Sequence, residues 1–236
     1  MANRTAAILT QMFKFGIQRH HVETSPVQLL YPPGGREKPR DRALSDEELG
    51  ALLACVDDVM IRAPITPHAV RIALYTACRR SELCLAKWSD VTLDGDSPTW
   101  RIPVENSKTE VEYLVPLVPV AVAEFERLKR RADRSRYVIP NATGDGPIDP
   151  KLITRSTARH LETLAEHGVA AFTLHDLRRT VRTGLSRLKI QPHGAERVLN
   201  HAQLGIATVY DVFAYSDEKR DALTKWAAHL ATLKGP

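Results

Sequence analysis

Hydrophobic positions recur along this chain at steps of three and four residues, and each such run predicts a helix. Ile8, Leu9, Met12, Phe13 and Ile17 form one stripe over residues 3–20. Leu49, Leu52, Leu53 and Val56 form a second, which starts sharply because Ser45 and Glu48 have the spacing of a capping box. "TPHAVRIALYTACRRSELCLAKW" reads as two helices, 67–77 and 80–87, broken near Cys78–Arg79. Further helices are predicted over about 119–132, 151–167, 174–188, 192–199 and 217–232. The period changes once. Trp100, Ile102 and Val104 alternate, as do Val111, Tyr113 and Val115, around a polar turn, which predicts a β-hairpin. The expected class is mainly α with a small antiparallel β-sheet (α+β).

The helix at 174–188 carries two stripes. Leu174, Leu177, Val181, Leu185 and Leu188 make the apolar one, and Thr173 with Asp176 caps its start. On another face His175, Arg178 and Arg182 project together. The helix dipole already places partial positive charge at that end, so cations there are unfavourable unless an anion binds.

"SPVQLLYPPGGREKPRDR", residues 25–42, has the Pro, Gly and charge content of an extended linker. The expected organisation is 1–24, a helix that cannot bury its apolar face alone and reads as the last piece of a larger domain; 25–42, a linker; and 43–236, the main domain. Residues 1–42 hold seven Lys/Arg against three Asp/Glu, within a net charge of +5 and a pI near 9.2 for the chain. That balance favours an acidic partner, nucleic acid being the commonest. The three cysteines lack metal-ligand spacing and their odd number fits a reducing cytoplasm. No apolar run approaches the length that spans a bilayer, so no membrane is expected.

Several residues stand out, each with a plain alternative. Arg79, at the helix break, either pairs with Glu82 or holds an anion. Lys108 in its turn is either a solvated lysine or a reacting one. His201 reads as a capping or core histidine, and Tyr210 as a core aromatic with Tyr215 its nearest rival. The basic run "RLKRRADRSR" at 127–136 is either a solvated helix end or a phosphate contact.

Taken together and in this order, "TACRRSEL", "SKTEVEYLVPL", "LHDLRRT" and "LNH" nine residues before "VY" resemble the signature of the tyrosine recombinase (phage integrase) family, over roughly residues 41–233. "ATVYDVFAYSDEKRDALTKWAAHL" resembles integrases of prophages and genomic islands, and the helix at 3–20 resembles the last helix of the family's core-binding domain. The resemblance implies the family's catalytic-domain fold and a site-specific recombinase that cleaves and rejoins DNA through a covalent 3′-phosphotyrosine, for integration or excision of a mobile element. A type IB topoisomerase-like relaxing activity and a DNA-binding fragment inactive in recombination are the alternatives.

It further implies that Tyr210 is the nucleophile, Arg79 and Arg178 clamp the scissile phosphate, and Lys108 is the general acid. His175 accepts a proton and binds phosphate, and His201 donates a further hydrogen bond to it. Arg40, Arg42, Arg80, Arg179 and Arg182 are candidate contacts to flanking DNA. The implied partners are double-stranded DNA at attachment sites, further copies in a tetramer on that DNA, and an accessory DNA-bending or directionality factor. The implied place is the cytoplasm, associated with the nucleoid. Residues 217–232 are the candidate for a helix exchanged between protomers. No cofactor or metal is expected, since the mechanism needs none and no Asp/Glu cluster has divalent-ion spacing. Ala77 and Asn200 stand where the family often has glycine, which marks both as backbone-geometry positions; Asn tolerates left-handed conformations well.

Overall fold

Helix 66–76 is the element around which the rest is arranged, because every one of its residues is buried. The computed structural model describes residues 1–35, 40–132, 134–201 and 215–233. They divide into two units, Met1–Asp41 and Arg42–Pro236. The first contains α1 (Ala2–Gln18), none of whose residues is buried, and a turn tied back to it where Asn3 bonds the backbone of Gly34 and Gly35. Ile8, Met12 and Phe15 remain more than half exposed within this unit.

The second unit opens with α2 (Asp46–Val59), whose capping box forms as expected: Ser45 Oγ accepts from the Glu48 amide and Glu48 accepts from the Ser45 amide. The central α3 (Thr66–Thr76) and short α4 (Arg80–Leu85) follow. The sheet has strand order β1 (Val91–Thr92), β2 (Thr99–Ile102), β3 (Tyr113–Pro116), all antiparallel. Then come α5 (Pro119–Arg131), α6 (Pro150–Arg159), α7 (Leu161–Glu166), α8 (Leu174–Arg187), α9 (Pro192–Val198) and α10 (Ser216–Leu233). Among the described residues no helix is long and apolar enough to cross a membrane.

Helices α5, α6, α8 and α10 pack around α3. Trp100 on β2 meets Phe125 on α5 edge-on, with ring centroids 5.6 Å apart, which seats the sheet against that helix. Trp226 on α10 is fully buried and donates its indole N–H to the Leu74 carbonyl at 2.8 Å. A Cβ on Gly184 of α8 would lie 2.1 Å from the Trp226 ring, so only glycine admits this contact. Helix α10, the candidate for exchange, is therefore folded onto its own unit through Leu223, Trp226 and Leu230.

Three expectations change. The hairpin pairing ends at Ile102↔Tyr113, so Val104 and Val111 lie outside it, 48% and 38% exposed. Pro103, which has no N–H for a ladder, introduces instead a short 3-10 turn at Val104–Asn106. A third strand, β1, extends the hairpin to a sheet. The helix expected at 151–167 breaks at His160, whose Nδ1 bonds the Ser156 carbonyl at 2.7 Å. The break lets Ile153 and Leu164 both be buried, with α6 against α3 and α7 against α2.

Candidate active site

The end of α3 builds the first wall of the site. Ala77 is left-handed, at φ 54° and ψ 21°, and its N–H bonds the Ala73 carbonyl at 3.0 Å, a common way to stop a helix. The chain then runs extended through Arg79, the N-cap of α4. Glu82 closes this cap: it accepts from the Arg79 amide at 2.6 Å and from Arg79 Nη1 at 2.8 Å. The Glu82 side chain is wholly buried, near the Tyr113 phenol. Burial, and then the charge of Glu82, push the Tyr113 phenol well above its ordinary pKa, so this tyrosine stays protonated.

Helix α8 supplies the second wall. Thr173 and Asp176 form the expected capping box, which fixes the first turn. One turn on, Arg178 is only 3% exposed. Its Nη1 donates to the Ala77 carbonyl and its Nη2 to the Leu199 carbonyl. Both acceptors are neutral, so the guanidinium is held without its charge being cancelled. Burial, and then the neighbouring Arg79, pull its pKa below the ordinary value. A guanidinium has five N–H donors, so three remain on Arg178.

The third wall is the end of α9. Asn200 is left-handed at φ 46°; its N–H bonds the Arg197 carbonyl, and the His201 N–H bonds Glu196. These two bonds are the Schellman pattern, with Asn200 in the place usually taken by glycine. The turn presents the Asn200 carbonyl to Arg79 Nη2 at 3.3 Å. Both left-handed residues thus turn a carbonyl toward an arginine: Ala77 toward Arg178, Asn200 toward Arg79. His201 Nδ1 is engaged by the Glu196 carboxylate, which leaves Nε2 available.

Between the walls lies a cleft of about 420 Å³, lined among others by Cys78, Arg79, Arg80, Lys108, His175 and Arg178. Lys108 and His175 are exposed in it. The His175 pKa is lowered, first by partial burial and then by Arg179, Arg178 and Lys108, which favours neutral imidazole. The Cys78 thiol is pushed up to about 12 by burial and is an inert neutral group.

Arg79, Lys108, His175 and Arg178 are therefore brought together, and Asn200 links His201 to the Arg79 side. Tyr210 lies outside the described residues. Tyr215, its rival, stands at φ 65° with the Arg197 guanidinium carbon 4.3 Å from its ring centroid. Arg80 donates to Thr154 at the cleft edge, Arg179 is half-buried beside His175, and Arg40 is exposed in the first unit.

Two flanking candidates have partners within the unit. Arg42 donates to Glu48 twice and to the carbonyls of Ala43, Ala170 and Ala171, which uses all five of its N–H groups. It fastens the start of the unit. Arg182 is engaged by Glu196, which takes its Nε at 2.7 Å, and by Ser186, which takes an Nη. Glu196, which orients His201 and neutralises Arg182, escaped the sequence reading; its position five residues before His201, across a helix end, was the available signal.

Residues 42–216 match the model of the phage integrase family. The chain is 27% identical to the prophage integrase IntZ of Escherichia coli K12 over 92% of its own length and 52% of that protein. It is 26% identical to the integrase of Escherichia phage HK022 over 86% of this chain and 55% of that one. The chain thus spans about half the length of these curated relatives. A crystal structure of a lambda integrase dimer bound to a COC′ core site has the same fold, with TM-score 0.60 and 23% identity over 85% of this chain and 71% of that one. So does an integrase from mycobacterium phage Brujita, at TM-score 0.62 and 17% identity over 100% and 79%. The matched residues include every wall of the cleft, and the chain belongs to the phage integrase family.

Proposed function

We propose that the second unit cleaves and rejoins DNA strands as a site-specific recombinase, and that the cleft around Arg178 receives the scissile phosphate. The observation that carries this reading is the charge of the cleft. Arg79, Arg80, Lys108 and Arg178 face it, and among the described residues the carboxylate bonded to them is Glu82 alone. Such a surplus of fixed cations suits a phosphodiester, whose non-bridging oxygens gain negative charge as it is attacked.

In this reading Tyr210 attacks phosphorus. Its phenol, with an ordinary pKa of about 10, loses its proton as the bond forms. Neutral His175 takes that proton, and its lowered pKa suits it to the task. Arg79 and Arg178 donate their remaining N–H groups to the non-bridging oxygens in pairs, and His201 Nε2 adds one more donor. Lys108 gives a proton to the departing 5′ oxygen. The phosphotyrosine ester resembles the bond it replaced, so a 5′-hydroxyl from the same or a second DNA reverses the step without an external energy source.

The reading extends to double-stranded DNA at attachment sites as substrate, and to several protomers assembled on it. Relatives bound to DNA as a dimer and, on a Holliday junction, as a tetramer support that extension. The first unit would then be the end of a core-binding domain. A nicked suicide substrate tests the assignment. The parent should form a covalent adduct on a denaturing gel, and Tyr210→Phe should bind DNA and form none. An adduct that survives Tyr210→Phe and disappears in Tyr215→Phe would transfer the role to Tyr215.

A further inference from the structure

Lys108 projects from a turn between β2 and β3, and its two sequence neighbours are tethered from across the cleft. Asn200 Nδ2 donates to Thr109 Oγ1 at 2.9 Å and to Ser107 Oγ at 3.4 Å. The two hydroxyls also bond to each other at 2.9 Å. Among the described residues, Asn200 alone bonds the side chains of Ser107 and Thr109 from another element. Within the turn itself the remaining ties are backbone bonds, among them Ser107 N–H to Pro103 and Glu110 N–H to Ser107. The same Asn200 lends its carbonyl to Arg79.

We infer that Asn200 is a positioning residue that sets Lys108 against the Arg79–Arg178 clamp, an inference that rests on the reading of Lys108 as the proton donor above. The physical argument is that one rigid residue holds both partners. Its left-handed backbone is fixed by the two bonds that end α9. Its carbonyl therefore points to Arg79 while its amide points to the Lys108 turn. Glycine would supply the backbone shape and the carbonyl just as well, and more easily. It would leave the two hydroxyls without their amide donor. Lys108 has four rotatable side-chain bonds and is exposed, so the accuracy of proton delivery depends on where its backbone is held.

The test compares an ordinary substrate with one whose 5′ bridging oxygen is sulfur, a leaving group that needs no acid. Asn200→Gly keeps the left-handed backbone, and Thr109→Val removes the acceptor at the other end while keeping its shape. Each should cleave the oxygen substrate about 10-fold more slowly, a fraction of the general-acid contribution, and the sulfur substrate within about twofold of the parent. Lys108→Ala should show the same rescue in larger measure. If Asn200→Gly is poorly folded, Thr109→Val decides. Parental rates on the oxygen substrate, or equal slowing on both substrates, in the folded variants would overturn the positioning role. Failure of sulfur to rescue Lys108→Ala would instead overturn the reading of Lys108 itself.

Discussion

Two arginine-rich regions of this protein differ in one respect, and that respect separates structure from chemistry. Where α3 meets α5, Arg71 bonds Asp57 at 2.9 and 3.0 Å and Glu124 at 2.8 Å. Arg127 and His68 complete the shell around Glu124. The two arginines and two carboxylates cancel; Arg71, Glu124 and His68 are buried, while Asp57 and Arg127 close the cluster from the surface. Burial opposes the charge on Glu124, yet His68 and Arg71 outweigh it and hold its pKa below the ordinary value. At the other end of the same helix, Arg178 is as buried as Arg71 but is held by two carbonyls. Both are buried arginines. The partners of one neutralise it; the partners of the other leave its charge to act on whatever enters the cleft.

The sharpest break of this comparison is stability. Arg71→Ala leaves Glu124 buried with less compensation, and should cost about 3 kcal/mol or more of unfolding free energy by denaturant titration. The folded fraction should cleave DNA at the parental rate. A slowed cleavage step at full folding would mean that the cluster is coupled to the site.

Arg178→Lys gives the converse. It keeps the charge and loses the paired donors, and should slow cleavage by about 10²-fold, equivalent to about 2.7 kcal/mol, in single-turnover assays. Near-normal cleavage would show that charge alone suffices.

A smaller effect lies in pH. A histidine whose folded pKa is depressed stays neutral below its ordinary pKa of about 6.5, and is protonated only as pH falls through the folded value. As a proton acceptor, His175 should therefore sustain cleavage to below pH 6.5, with the acid limb of kcat/KM under that value. The stability it contributes has the same sense, complete above the unfolded pKa and lost as pH falls through the folded one. Arg179→Gln removes one of the cations that depress it, so the limb should move to higher pH. A limb that does not move would remove Arg179 from the electrostatics of His175.

The smallest effect belongs to Ala77. Relief of its left-handed strain by Ala77→Gly, about 1–2 kcal/mol, is offset by the buried methyl, about 0.8 kcal/mol. Stability should change by less than about 1 kcal/mol and cleavage should be retained. A large loss would mean that the Ala77 carbonyl moves with the substitution and releases Arg178.

What the sequence determined by itself was local. The capping boxes Ser45–Glu48 and Thr173–Asp176, the helices they start, and the change of period at the strands are written in spacings of two to four residues, and the structure has them. So is the motif order that led to Arg79, Lys108, His175 and Arg178, which line one cleft. Where the reading stopped, the deciding partner was distant. Arg182 shares its sequence stripe with Arg178 but finds Glu196 on the next helix. Arg42 looked like a linker cation and is held by Glu48 and by carbonyls 128 and 129 residues away. The reach of Asn200 to Thr109 crosses 91 residues. A helix period fixes which side chains share a face, because it depends only on neighbours along the chain. Whether a charge on that face is cancelled depends on what folding brings opposite it, and only the tertiary structure decides that.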